Sequence, residues 1–211
     1  LCAMELFKNT PPPPHFWPSH AKNLALFAVD NYLKSDEPLA KKKFEDKGIE
    51  LVNLDLERDH LPFAAGSVDI IIINQVFEHV KAVFWILHEI TRVLKPGGHL
   101  IVGVPNLAAL HQRLLLLFGQ QPSCIKNYSN HIRGYTKGDL IRLVNSAFDG
   151  WQLKHFGGGD FRPFPAFLAK PLAKIFPTLS GTIFFDFQKI KDYPDNGYLK
   201  AARQGYCLSS K

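Results

Sequence analysis

Apolar residues along this chain fall into short runs divided by turn-forming residues, and their period changes from run to run. Leu24 to Val29 is continuously apolar and ends in Asp30, the pattern of a buried parallel strand. Ile49 to Leu56 predicts a second strand, closing on Asp55. Val68 to Ile73 predicts a third, in which the run Ile70 to Ile73 suits a strand covered on both faces and β-branching stiffens it for that role. Val83, Ile86, Leu87, Ile90, Val93 and Leu94 recur at helical spacing on one face. Lys95-Pro96-Gly97-Gly98 then reads as the stop of that helix, and His99 to Val104 as a strand ended by Pro105. Further helices are expected over 36–47, over 107–118, and over 137–148 with Thr136 as cap and Asp139 as a weak capping-box partner. Trp151 to Phe156 and Thr182 to Lys189 predict two late strands. In the second, Ile183, Phe185 and Phe187 alternate with Phe184, Asp186 and Gln188.

Strands alternating with helices through short turns predict an α/β fold, a Rossmann-like three-layer sandwich whose mostly parallel sheet carries an antiparallel late strand pair. A chain of 211 residues suits one such domain, assigned to 23–190. Residues 1–22, with Pro11 to Pro14, read as irregular, 157–181 as an insert or lid, and 191–211 as a tail.

Composition changes this picture little. The 46% hydrophobic and 21% charged residues are the balance of a soluble protein. A net charge of +6 mildly favours anionic partners, but no Lys/Arg stripe with interleaved aromatics appears, so nucleic acid is not expected. Cys2, Cys124 and Cys207 form neither a zinc site nor a disulfide framework, and no metal site is expected; a reducing, cytoplasmic setting is the default. No signal peptide or membrane-length apolar run is visible. The 17 phenylalanines are many for this length, and eight of them cluster late, from Phe156 to Phe187, which points to a role for that region beyond the core.

Between Asp55 and Asn106 stand, in order, Asp55-Leu56-Glu57, Leu61-Pro62-Phe63, Ser67-Val68-Asp69, Asn74-Gln75-Val76-Phe77-Glu78-His79-Val80, Glu89, Arg92-Val93-Leu94-Lys95-Pro96-Gly97-Gly98 and Val104-Pro105-Asn106. Each fragment alone is weak. Together, at these spacings, they closely resemble the class I S-adenosylmethionine (SAM)-dependent methyltransferases. The resemblance implies SAM as cofactor and a small-molecule or lipid-linked methyl acceptor. Strand-end residues fit this reading, because open parallel sheets bind ligands beyond the carboxyl ends of their strands. Asp30 is expected to accept from the ribose hydroxyls, with a turn or cap aspartate as the alternative. Asp55 and the Leu56 amide are expected to bracket the adenine edge, with an Asx-turn as the competitor. Asn74 and Gln75 would lie beside the sulfonium and the methionine ammonium. His79 is the candidate general base, against a structural histidine bonded to its loop. Glu78, near a helix start, needs no function beyond favourable interaction with the helix dipole.

His131, Arg133 and Tyr135 are expected to meet the acceptor, or else to belong to a surface loop. Gly157-Gly158-Gly159 reads as a flexible turn, since no Lys-Ser/Thr follows it. Residues 161–176 mix aromatics and prolines with Arg162, Lys170 and Lys174. They are expected to form a lid, with peripheral membrane contact as the alternative for the basic amphipathic stretch 166–176. One departure from the family stands out: no glycine precedes Gly48, so the Gly-x-Gly loop that should hold the methionine end is not read in this sequence. A fragment lacking the first strand and loop is the expectation, with a replaced N-terminus or a degenerate, non-catalytic scaffold homologue as alternatives.

Overall fold

The computed structural model describes residues 26–30, 46, 49–193 and 196–203. The irregular segment expected over 1–22, the helix expected over 36–47 and the end of the tail lie outside the described residues.

The first two apolar runs form β1 (Leu26–Asp30) and β2 (Ile49–Asn53). They pair in parallel, with Leu26 opposite Ile49 and Asp30 opposite Asn53. The isoleucine run forms β3 (Val68–Asn74), in which Ile71 and Ile73 are buried while Ile70 and Ile72 are half-buried. The helical stripe forms α1 (Val83–Val93), and β4 (Leu94–Pro105) runs parallel to β3. Lys95-Pro96-Gly97-Gly98 does not stand outside the strand as a plain helix stop. Val68 pairs with Leu94, and the next pair is Ile70 with His99, so the four residues are looped out as a bulge within β4. Gly97 takes φ 85°, and a Cβ on Gly98 would sit 2.9 Å from the Asp69 carbonyl oxygen, so both positions need glycine.

α2 (Leu110–Leu117) and α3 (Lys137–Asn145) follow. Thr136 caps α3 as expected: its hydroxyl accepts from the Asp139 amide at 3.3 Å and donates to the Asp139 carboxylate at 2.6 Å. β5 (Trp151–Gly158), α4 (Ala166–Ile175), β6 (Thr182–Lys189) and α5 (Gly197–Arg203) complete the order. β6 runs antiparallel to both β4 and β5, giving a mixed sheet of order β3-β4-β6-β5 beside the β1-β2 pair. This is a three-layer α/β architecture.

The period of two in β6 separates two covered faces: Ile183, Phe185 and Phe187 join the main core, while Phe184 packs with Ile101 on the other side. Ile183 to Phe187 are all buried, and Asp186 is held by His99 Nδ1 at 2.7 Å and His155 Nδ1 at 3.1 Å. The glycine triplet is also not a loose turn. Gly157 and Gly158 belong to β5 and pair with Phe184 and Ile183. A Cβ on Gly158 would overlap Ser180 Oγ, so close packing explains the residue type.

One sheet face carries the main core: Ile71, Ile73, Val102, Val104, Phe185 and Phe187 pack against the apolar face of α1 and Tyr198 of α5. The C-terminal carbonyls of α1 meet an unexpected partner. Buried Lys189 donates from Nζ to Thr91 O at 2.8 Å and Leu94 O at 2.7 Å, placing a cation at the negative end of the helix. α4 turns Ala169 and Ala173 inward against Phe161 and Leu110 of α2, and leaves Phe167, Leu168 and Ile175 exposed. No helix among the described residues is long and apolar enough to cross a membrane.

Candidate active site

The carboxyl ends of β1, β2 and β3 and the loops that leave them carry most of the expected site residues. Asp30 ends β1 opposite Asn53, two residues before Asp55. Asp55 opens an Asx-turn: its Oδ1 accepts from the Glu57 amide at 2.9 Å, and its Oδ2 lies 3.8 Å from Arg58 Nε. Glu57 reaches onward, and its Oε1 accepts from the Lys81 amide and, at 2.8 Å, from the Ala82 amide. These amides precede α1, so a carboxylate from the β2 exit completes the start of a helix that has no side-chain cap of its own. The turn after β2 and the turn after β3 are thereby tied together.

A second tie explains several motif residues. Glu89 of α1 receives Arg92 Nη2 at 2.7 Å and Nε at 2.8 Å, the Leu61 amide at 2.8 Å and His60 Nδ1 at 3.1 Å. Arg92 also donates to the Phe63 and Leu61 carbonyls at 2.9 and 3.0 Å. Burial acts to raise the Glu89 pKa, but Arg92, His60 and the Leu61 amide outweigh it and bring the carboxyl to about 2. Leu61-Pro62-Phe63 is thus clamped to α1, and the Phe63 ring meets Phe27 of β1 edge-on at 5.1 Å.

The end of β3 is tightly built. Asn74 is buried, and a Cβ on Gly103 would overlap its Oδ1. Gln75 takes φ 55°, a left-handed conformation that costs a non-glycine residue on the order of 1 kcal/mol or more. Its amide donates to Gly103 O at 2.8 Å, while its Nε2 is buried without a hydrogen-bond partner. Beyond it, five hydrogen bonds fasten the 76–81 turn to the segment 130–135. Ile132 N donates to Glu78 O at 2.8 Å, His79 Nδ1 to Asn130 O at 3.1 Å, and Tyr135 Oη to Phe77 O at 3.1 Å. Arg133 donates from Nη1 to Val80 O and from Nη2 to Lys81 O, the latter at 2.9 Å.

These contacts give Tyr135 and Arg133 partners within the protein. Tyr135 is 4% exposed with its hydroxyl on a main-chain carbonyl, and burial pushes that hydroxyl up to about 12. Arg133 directs its guanidinium at two carbonyls. Both fasten the loop to the 76–81 turn. The segment does bring His131 against His79, with ring centroids 4.6 Å apart. Burial, and then the neighbouring His131, lower the pKa of His79, against the raising effect of the Asn130 carbonyl. As a helix-start carboxylate Glu78 needs no further role. The structure instead buries it, 1% exposed, with neither carboxylate oxygen hydrogen-bonded, and burial raises it to about 7. Its place beside His131, 53 positions on, could not be seen in the sequence, where only the Glu78-His79 doublet was visible.

Residues 19–102 match the model of the methyltransferase domain family. The chain is 33% identical over 89 residues to the uncharacterized protein YafE of Escherichia coli K12, a stretch covering 42% of each protein, so it spans under half of that relative's length. In structure it is similar to a SAM-dependent methyltransferase from Thermotoga maritima, with 17% identity, 79% and 73% of the two chains covered and a TM-score of 0.53. It is likewise similar to a Haloferax volcanii protein solved in complex with the methyltransferase activator Trm112, with 16% identity, 83% and 76% covered and a TM-score of 0.54. The structural likenesses show the fold, and residues 19–102 are similar to the methyltransferase domain family. That family implies SAM as cofactor. The residues present fit it in one respect visible here, a buried Gln75 amide donor at the β3 end that lacks an acceptor.

Proposed function

We propose that this chain belongs to an enzyme that transfers a methyl group from SAM to a small-molecule or lipid-linked acceptor. The observation that carries the reading is the position of Asp30, Asp55, Asn74 and Gln75 at the carboxyl ends of successive strands, within the segment that matches the family. In this reading Asp30 accepts from the ribose hydroxyls. Asp55 turns the oxygen not used by its Asx-turn toward the adenine amine, and the Leu56 amide donates to the ring. Gln75 and the carbonyls beside Asn74 hold the amino-acid end. When bound, SAM supplies an electrophilic methyl on a sulfonium. Positioning and exclusion of water then carry much of the rate, so little acid–base help is required.

His79 is the base where one is needed, because a lowered pKa keeps its imidazole neutral near pH 7. His131 meets the acceptor side, with Arg133 and Tyr135 holding its loop in place. A lipid-linked acceptor is supported by the exposed apolar side chains of the α2–α4 region, Leu117, Phe118, Phe167 and Ile175, beside Arg162, Lys170 and Lys174.

Calorimetric titration with SAM and S-adenosylhomocysteine tests the reading. Binding that Asp55→Ala weakens at least tenfold supports it. A folded protein that binds neither compound overturns it for this polypeptide and leaves a scaffold role.

A further inference from the structure

Glu78, His79 and His131 each place a ligand atom within 4.8 Å of the other two. The three come from two loops that the five hydrogen bonds described above lock together, so the grouping belongs to the scaffold and not to a chance surface encounter. The carboxylate at its base is the decisive member. A carboxylate that is 1% exposed and accepts no hydrogen bond from either oxygen is costly, and buried polar groups are nearly always partnered. No ion pair to Glu78 is present among the described residues to offset the charge. A cation between Glu78 and the two rings would supply the missing partner.

The histidines are prepared for that role. His79 Nδ1 donates to Asn130 O at 3.1 Å, and His131 Nδ1 donates to Cys124 O at 2.7 Å. A main-chain carbonyl on Nδ1 places the proton there and leaves Nε2 with its lone pair, the arrangement that orients imidazoles bound to metals. His79 is exposed and His131 half-buried, so the cluster opens to solvent on the histidine side, above the buried carboxylate.

We propose that Glu78, His79 and His131 form a binding site for a divalent first-row transition-metal ion of the zinc, iron(II) or manganese class. Two imidazoles and one carboxylate select such ions over magnesium and calcium, which prefer oxygen donors. At bond lengths of about 2.0–2.2 Å a tetrahedral ion holds its ligands roughly 3.4 Å apart, the scale on which the three side chains already group, one ligand atom of each within 4.8 Å of the others. Three protein ligands leave at least one coordination position for an oxygen or nitrogen donor of an incoming molecule. With the ion bound, His79 is no longer free as a base, and the ion polarises that donor in its place. The site stands independently of methyl transfer, since nothing in its geometry requires SAM.

The test uses the full chain, stripped with chelator and titrated with Zn(II) by calorimetry and with Co(II) by visible absorption. One equivalent of each is expected, with Co(II) giving the d–d bands of a low-coordinate nitrogen and oxygen site. Glu78→Gln and His131→Asn should each weaken Zn(II) at least tenfold while the far-ultraviolet dichroism stays unchanged. Should Glu78→Gln fail to fold, His131→Asn, which leaves the buried carboxylate in place, decides alone. Wild-type affinity in a folded variant, no binding at all, or magnesium binding as tightly as zinc overturns the proposal. Because no acceptor or SAM is present, such a failure is distinguishable from failure of the methyltransferase reading.

Discussion

Glu89 is 2% exposed yet keeps its charge, because Arg92 meets it with two donors and the Leu61 amide and His60 take up its remaining acceptor capacity. Its pKa in the folded chain, about 2, lies below the ordinary 4.5. A depressed carboxyl contributes stability that is complete above its unfolded value and is lost as pH falls toward the folded one. Urea unfolding between pH 7 and pH 2 should therefore show an acid limb, beginning near the ordinary value, to which this carboxyl contributes about 3 kcal/mol. Glu89→Gln should lower stability at pH 7 by a similar amount and flatten that limb; an unchanged limb in the variant would assign acid lability to other groups. Lys189 makes a comparable single-residue case. Its ammonium satisfies Thr91 O and Leu94 O where α1 gives way to β4. Lys189→Met keeps the stem and removes both donors, which should cost roughly 2 kcal/mol in the same assay.

At the scale of elements, what local pattern determines was visible in the chain and what partners determine was not. The strands around Ile70 to Ile73 and His99 to Val104, and the helix from Val83, were readable because period and composition alone specify them. β6 was readable as a strand but not as a central one, since its place between β4 and β5 is set by pairing partners far along the chain. Gly157 and Gly158 read as a turn because glycine is ambiguous until its neighbour, here Ser180, is known. The candidate site divided in the same way. The strand-end positions of Asp30 and Asn74 were legible from the strands, whereas the clamp of Tyr135 and Arg133 and the isolation of the Glu78 carboxylate depend on a loop far along the chain. α4 is an element whose purpose a measurement can assign. Its alanines pack inward, and Phe167 and Ile175 are 74% and 66% exposed. Replacing both by serine should change the melting temperature little, as surface substitutions usually do, and should reduce sedimentation with anionic vesicles. Undiminished vesicle binding would assign α4 to some purpose other than a lipid surface.

At the scale of the whole molecule, the residues proposed to hold SAM are divided between two sheets. Asp30 and Asp55 belong to β1, β2 and their exits, while Asn74 and Gln75 end β3 of the four-stranded sheet. No strand of one sheet pairs with a strand of the other among the described residues. Side chains make the connection instead: Val29 enters the main core, Phe27 meets Phe63, and Glu57 holds the amides before α1. Such a joint should open at lower free energy than the main sheet, where β4 is paired on both sides. Native-state hydrogen exchange should accordingly find the amides of β1 and β2 less protected than those of Leu100 to Val104. A ligand that bridges the sheets binds only the closed arrangement, and at a hundred times its dissociation constant adds about 2.7 kcal/mol to it. Saturating SAM should therefore slow exchange in β1 and β2 far more than in β4, and Asp55→Ala should erase the difference. Uniform slowing across both sheets would place SAM within one of them, and equal protection without ligand would show that the side-chain joint is as strong as a strand pairing.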